Sequence, residues 1–537
     1  MTADPIAVPE PRRRIEPTTR AARWLAPSLP DLLFVILLVA APLALGGTVL
    51  NADGDLARHL RVGETILAEG AIPRVDRFSW TMAGRPFVPY EWLSEVAFAG
   101  AHRAAGLPAV VVLTGLLFAT AVALNAAFLL RRGADPLLAY LAPMAGALLA
   151  STHVLARPHL FTMVGASALL LLLEPSGRPR LWPFAVLFAL WANLHGGFLF
   201  GLVLLAIYAV GDLLESRYGD RRAVWRERLR YHASALVVSV AACGANPSGL
   251  AVYGHVTGYL RNRYLVDTIA EYQSLDFHTA IGKIFLLFVL GAIVAFALAR
   301  ERPALPRLLA ILAGVAFALH SGRNVSLFGL TALPLLALSL EPAWRRLDAP
   351  AIAYLRRLIA SGPARASFGA WSVAAVALMA AAAGWDSRSG GDLLQARFDP
   401  ARFPVAAVER ARAARVGGRI YNSFAWGGYL LWAWPEQRVF IDGQVDFYGE
   451  ALTRTYMRIE GTEPGWREAM EQWGISTVLV PTRSKLAYAL LREPEWEPWY
   501  CDSLAVLLLK GDRPPVPAPT SRAGCGARVA EAIPPIR

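Results

Sequence analysis

The chain has 537 residues, 55% of them hydrophobic and 18% charged, with a formal net charge of +12 and a mean hydropathy of +0.40. Soluble domains carry roughly a quarter charged residues, so this composition argues against a soluble protein and for a multi-pass membrane protein. A positive charge of this size could point to nucleic acid, but its placement argues against that, because the arginines cluster in short segments between apolar runs, where cytoplasmic loops are basic.

Arg12, Arg13, Arg14, Arg20 and Arg23 precede the first apolar run, residues 32–50. A leader of that length followed by further apolar runs reads as a retained span with its N-terminus inside, not as a signal peptide. Further runs cover 107–130, 136–151, 159–173, 181–193, 197–214, 233–244, 284–299, 305–319, 325–340 and 368–383. This gives about eleven spans, several shorter than the usual length. With the N-terminus inside, the segments 131–132, 178–180, 217–230, 300–307 and 345–365 also fall inside, and these are the arginine-rich ones. The same alternation puts the C-terminal third outside.

The expected organisation is a cytoplasmic tail (1–30), a transmembrane domain (31–385) with a long outer loop (51–106), an extracytoplasmic α/β domain (386–512) and a disordered end (513–537). In the tail, 419–421, 438–441 and 477–480 read as short strands and 466–473 as a helix. Of the cysteines Cys243, Cys501 and Cys525, the last two can pair in an oxidising compartment, and no CxxC or zinc spacing occurs.

The outer side collects the ionisable residues that lie at span ends, where they are costly and face a cavity or a partner. Asp53-Gly54-Asp55 follows the first span. Two carboxylates so spaced can share Mg²⁺ or Mn²⁺, or one can act as a general base, or they can simply cap the helix whose apolar stripe is Leu56, Leu60, Gly63 and Leu67. Glu91, Glu95 and His102 share one face of an interfacial helix, which makes Glu91 a supporting carboxylate or part of a solvated face. Arg157 and His159 flank a proline at one span mouth and Arg323 stands at another, suited either to clamp a phosphate or to neutralise the acidic loop. His195 lies in a glycine-rich break where it can meet a polar head group or serve as an interior hydrogen-bonding group. Trp426 and Tyr429, around Gly427-Gly428, are either stacking surfaces for an acceptor or core aromatics beside a turn. No P-loop, nucleophile elbow or dinucleotide fingerprint is present, which disfavours ATP-driven transport.

An acidic first outer loop, many spans and an outer C-terminal domain resemble the GT-C superfamily of polyprenyl-phosphate-sugar-dependent glycosyltransferases. That resemblance implies an aspartate base or metal ligand at Asp53 or Asp55. The tail is distantly similar to oligosaccharyltransferase catalytic subunits, whose WWDYG motif follows the membrane domain; here Ala425-Trp426-Gly427-Gly428-Tyr429 stands in a comparable place and lacks the aspartate. The chain also resembles a group of bacterial polytopic membrane proteins sharing a D-x-D…EWLSE outer loop, an RPH span end, an NLHGG break and a GGYL…FIDG tail, matched at 53–95, 157–159, 193–197 and 427–443. The resemblance implies a membrane-embedded transferase moving a sugar from a polyprenyl-phosphate-type donor to an extracytoplasmic acceptor, with donor-binding residues Arg157, His159, His195 and Arg323 and acceptor-binding residues Trp426 and Tyr429. Its partners would be the lipid-linked sugar and membrane lipid. A scaffold or assembly subunit and a lipid-linked glycan transporter of the cell envelope are the alternatives.

Overall fold

A computed structural model describes residues 20–175, 178–299, 301–347, 349–360, 368–511 and 521–532; Arg12, Arg13 and Arg14 lie outside them. The described chain is a helical bundle followed by a small α/β unit. Five helices are long and apolar enough to cross a membrane by length and composition: Leu29–Asn51, Trp92–Arg131, Phe198–Tyr218, Ala280–Leu298 and Gly322–Arg345. His159–Leu173, Trp182–Leu194 and Leu305–His320 are apolar but shorter, so the expected count of about eleven spans is not reached by that measure. Ala280–Leu298 is the least covered of the five and leaves Leu287, Ile293 and Leu298 exposed, a surface suited to lipid.

The first long helix is pinned at both ends by side chains that would otherwise be costly to bury. Ser28 and Asp31 form a reciprocal capping box at its start. The Asp31 carboxylate also accepts the Gly369 N–H at 2.8 Å and the Ser372 hydroxyl at 2.6 Å, fixing this end to the Ala370–Ser389 helix. At the far end, the Asn51 amide donates to the Arg397 carbonyl at 2.9 Å and its Oδ1 accepts the Asp399 N–H at 2.8 Å. The start of the tail is therefore anchored directly to the end of the first span.

The outer loop has its own folded parts. Asp55–Glu69 is an amphipathic helix that buries Leu56, Leu60 and Val62. The Trp92–Arg131 helix breaks at Ala105-Gly106, where Gly106 takes a φ of 65°, and Pro108 follows. Its first part packs on the outer-loop helix, since Gly63 admits the backbone of Glu95. Its second part packs on the first span, where Gly115 meets Pro42.

The tail contains one four-stranded sheet: β1 (Ile420–Asn422), β2 (Thr477–Pro481), β3 (Trp496–Cys501) and β4 (Ala505–Lys510) in the order β1-β2-β4-β3. Only the β1–β2 pair is parallel. Helix Trp466–Gln472 stands where the sequence places it. Three expectations are corrected. Residues 438–441 form no strand; Val439 makes a single parallel bridge to Ser79 of the outer loop, because Trp80 N–H donates to the Val439 carbonyl at 3.0 Å. Gly427-Gly428 lies inside the helix Phe424–Ala433, not in a turn. Part of the end expected to be disordered is the helix Arg522–Ala532, held by a Cys501–Cys525 disulfide that closes 24 residues; 513–520 and 533–537 lie outside the described residues.

The loop and tail form one packed unit. The Trp80 indole donates to the Ile420 carbonyl at 2.9 Å and the Thr81 hydroxyl to the Phe440 carbonyl at 2.6 Å, while Trp80 packs edge-on to Phe440 and Trp473. One hydrophobic cluster runs from Leu38 and Val111 in the bundle through Leu56 and Leu60 to Trp426 and Leu430 in the tail.

Candidate active site

The helix Asp55–Glu69 starts at Gly54, and Asp53 Oδ1 accepts the Asp55 N–H at 3.0 Å, so the turn itself orients both carboxylates. They meet at one guanidinium. Arg157 places Nη1 3.1 Å from Asp53 Oδ2 and Nη2 2.6 Å from Asp55 Oδ2, and the same Nη1 lies 2.8 Å from Glu271 Oε1. Burial works against the Arg157 charge, yet Asp55, Asp53 and Glu271 together hold its pKa well above the ordinary value. Arg157 is thus the counter-ion of the acidic loop, and its donors are committed to carboxylates. Arg323 is less committed: Nη1 lies 4.0 Å from Glu271 Oε2 and its guanidinium stands 4.8 Å over the Tyr272 ring.

A second ionic group adjoins the first through His59. Arg58, only 5% exposed, lies 3.5 Å from Glu95 and 3.6 Å from Asp442 and is hydrogen-bonded to Gln444. His59 Nδ1 lies 3.4 Å from the same Glu95. Burial, then Arg58, push the His59 pKa well down, so the ring is neutral here. The tail segment Asp442-Gly443-Gln444 therefore docks on the outer-loop helix through one buried arginine.

His195 bonds on two sides. Its Nδ1 accepts the Gly197 N–H at 3.0 Å and the Thr162 hydroxyl at 2.7 Å, while Thr162 accepts the Trp191 indole N–H at 2.8 Å. Two donors on Nδ1 assign the ring proton to Nε2, which lies 3.5 Å from Glu91 Oε1. Burial, then Arg323 and Arg157, hold His195 neutral. Glu91 is pushed up to about 8 by burial, then by Glu95.

Several expected roles change in this geometry. The stripe Glu91, Glu95 and His102 does not face one cavity: Glu91 meets His195, Glu95 meets Arg58 and His59, and His102 lies 3.2 Å from Glu64. His159 spends its Nε2 on the His153 carbonyl at 2.6 Å. Tyr429 is a core residue, 4% exposed and packed against Phe398, Phe403 and Trp432, so it offers no stacking face to an acceptor. Trp426 is equally buried and donates its indole N–H to the Arg402 carbonyl, but it borders an open cavity. Sequence reasoning passed over Arg58, Asp442 and Gln444. Arg58 stands two positions from Leu56 and Leu60, off the apolar stripe, so helical periodicity reads it as a solvent-facing charge and gives no signal for its burial.

The donor set bears on Mg²⁺ or Mn²⁺ at Asp53 and Asp55. Among the described residues no group of three or more His, Cys, Asp or Glu is arranged to hold an ion. Both carboxylate Oδ2 atoms at Asp53 and Asp55 point at Arg157, which already supplies the positive charge a divalent cation would bring. The residues as arranged do not fit Mg²⁺ or Mn²⁺.

A cavity of about 540 Å³ opens between the turn 51–54 and the tail, with Asp53 on its wall. A second, of about 520 Å³, lies beside Trp92 and Asn193, where the Trp92 indole donates to Asn193 Oδ1 at 2.7 Å.

No family model matches this chain, and no curated protein matches it. Solved structures do. The archaeal oligosaccharyltransferase AglB from Archaeoglobus fulgidus, in complex with an inhibitory peptide and a dolichol-phosphate, aligns with a TM-score of 0.53 at 14% identity, covering 86% of this chain and 70% of that one. An Archaeoglobus fulgidus oligosaccharyltransferase tethered with an acceptor peptide via a disulfide bond gives the same values. ArnT from Cupriavidus metallidurans, bound to undecaprenyl phosphate, aligns with a TM-score of 0.46 at 16% identity, covering 89% of this chain and 99% of that one. At these identities the likeness is one of fold. The chain is a multi-pass membrane protein, and its fold, a helical membrane domain followed by a small α/β domain, is one it shares with AglB.

Proposed function

We propose that this chain is a membrane glycosyltransferase that moves a sugar from a polyprenyl-phosphate carrier to an acceptor on the outer face of a bacterial inner membrane, its N-terminus inside and its tail outside. The observation that carries this reading is the meeting of Asp53, Asp55 and Glu271 on Arg157 at the mouth of an apolar bundle, beside a cavity open to the tail. The fold shared with AglB supports it.

In the reaction, an acceptor hydroxyl attacks the anomeric carbon, the bond from that carbon to the carrier phosphate breaks, and a carboxylate takes the hydroxyl proton. Asp53 is the better placed base, since it lines the cavity, while Asp55 Oδ1 is covered by Gly443. Asp55 holds Arg157 in place. Charge appears on the departing phosphate, and Arg323 has donors to spare for it. Glu91, by its proton at neutral pH, keeps a like charge away from that phosphate.

The test is transfer from radiolabelled polyprenyl-phosphate sugars in membranes that retain the natural carrier lipids, comparing the parent with Asp53→Asn, Asp55→Asn and the double variant at matched abundance. A general base contributes about 10²- to 10⁴-fold, so Asp53→Asn should lose that much. Transfer at the parent rate by the double variant would sink the reading and leave the aspartates as a structural lock, as a scaffold subunit would use them.

A further inference from the structure

The cavity of about 540 Å³ has a charge pattern of its own. Arg402 and Arg483 line it, both exposed, and neither forms an ion pair among the described residues. Arg402 gives one hydrogen bond, to the Asn51 carbonyl at 3.3 Å, and the Arg483 guanidinium has no hydrogen-bond partner among the described residues. Elsewhere at the site the opposite holds, and Arg157 and Arg58 each meet two or more carboxylates.

Two helices also begin at the cavity wall: Asp55–Glu69 at Gly54 and Phe424–Ala433 at Ser423. The first N–H of each is already taken, Asp55 by Asp53 Oδ1 at 3.0 Å and Phe424 by the Tyr456 hydroxyl at 3.0 Å, so what these starts add is the positive end of the helix dipole. They are brought together because neither can carry a side chain at the crossing. A Cβ on Gly54 would strike the Ala425 carbonyl, and one on Gly428 the Gly54 carbonyl. The carboxylate on the wall, Asp53, is already paired with Arg157. Two uncommitted arginines and two helix starts thus face one neutralised acid. Phe403 and the face of Trp426 supply an apolar wall between them.

We infer that this cavity takes an anionic group of the acceptor, a phosphate or a carboxylate, with Arg402 and Arg483 as its cations, so that a hydroxyl of the same molecule reaches Asp53. The word acceptor rests on the transferase reading; the anion site does not. Arginine suits it because its planar fork meets phosphate or carboxylate oxygens two at a time.

Binding is tested without turnover, on the full chain in nanodiscs. Retention of ³²P-labelled inorganic phosphate in phosphatidylcholine discs probes a soluble anion. Co-purification of phosphatidylglycerol from mixed discs, read by native mass spectrometry, probes a bilayer headgroup. The variants are Arg483→Glu, Arg483→Lys and the double Arg402→Gln/Arg483→Gln. Arg483 is exposed and unpaired among the described residues, so its variants should fold as the parent does. Retention in either arm should fall about tenfold or more in Arg483→Glu and in the double variant, while Arg483→Lys keeps most of it. Phosphate retention would assign a soluble source, and phosphatidylglycerol alone a bilayer source. Equal retention by the parent, Arg483→Glu and the double variant, in both arms, would overturn the anion site. The two readings separate cleanly. Loss of transfer in Asp53→Asn with unchanged retention in Arg483→Glu keeps the transferase and removes the anion site, and the converse pattern does the reverse.

Discussion

Gly443 of the tail lies against the carboxylate of Asp55, whose Oδ1 occupies the space that a side chain at position 443 would need. The tail thus completes the outer-loop site, held there by Arg58 to Asp442 and Gln444. Asp55 cannot swing aside freely, because its other oxygen is bonded to Arg157. Gly443→Ala should therefore move the carboxylate, Arg157 with it, and lower transfer about 10²-fold, the cost typical of an ångström-scale misplacement. The readout is transfer per molecule at equal abundance. An unchanged rate would mean that Asp55 tolerates displacement and does not set the geometry.

With Arg323 reaching only Glu271, at 4.0 Å, Arg157 is the cation that bridges three carboxylates. Removing it leaves Asp53, Asp55 and Glu271 to repel one another at a part-buried site. Breaking a fully buried pair costs about 3–5 kcal/mol, and the partial exposure here discounts that to about 2 kcal/mol for Arg157→Gln. Arg157→Lys keeps the charge but cannot span two Oδ2 atoms with separate nitrogens, so it should fall between the two. Unfolding midpoints in detergent measure this. A midpoint for Arg157→Gln equal to the parent's would show that the acids do not depend on it.

If Arg157 does the work of a metal at Asp53 and Asp55, chelation should be harmless. Transfer in the presence of excess EDTA should equal that without it, and added Mn²⁺ should not raise the unfolding midpoint, since an ion binding only the native state would raise it. A loss of transfer on chelation that Mg²⁺ or Mn²⁺ restores would show that a metal displaces the guanidinium in the working enzyme.

The parts of the site written as rare polar residues against apolar runs were legible: Asp53, Asp55, Glu91, Arg157, His195 and Arg323 all stand at helix ends on one side. Their pairings were not, because they join segments far apart in the chain. Arg58 and Gln444 are 386 residues apart, and no periodicity relates them. Helix Phe424–Ala433 was hidden by its glycines, which read as a turn. Gly428 is there for close approach, its Cα lying against the Gly54 carbonyl. The 438–441 stretch has the composition of a strand, but its one bridging partner is Ser79 in the outer loop, not the tail sheet. Tyr429 looked like a binding aromatic for the same reason that it is a core one: a large ring beside glycines fits either.

Glu91 gives the site a pH signature. Burial, then the neighbouring Glu95, raise its pKa from 4.5 to about 8. Between those values the native state holds a proton that the unfolded chain has released. Stability must therefore fall as pH rises through the window from about 4.5 to about 8, and be flat in this respect on either side. Glu91→Gln fixes the neutral form and removes that slope. Unfolding midpoints of the parent should drop between about pH 5 and about pH 8.5 by more than those of Glu91→Gln, and the difference isolates this residue from other titrating groups. The same variant should leave transfer near the parent level at neutral pH, where the side chain is already protonated, and should retain more of it as pH rises past 8. Parallel midpoint curves for the two proteins would place the proton elsewhere and remove Glu91 as the residue that keeps charge away from the carrier phosphate.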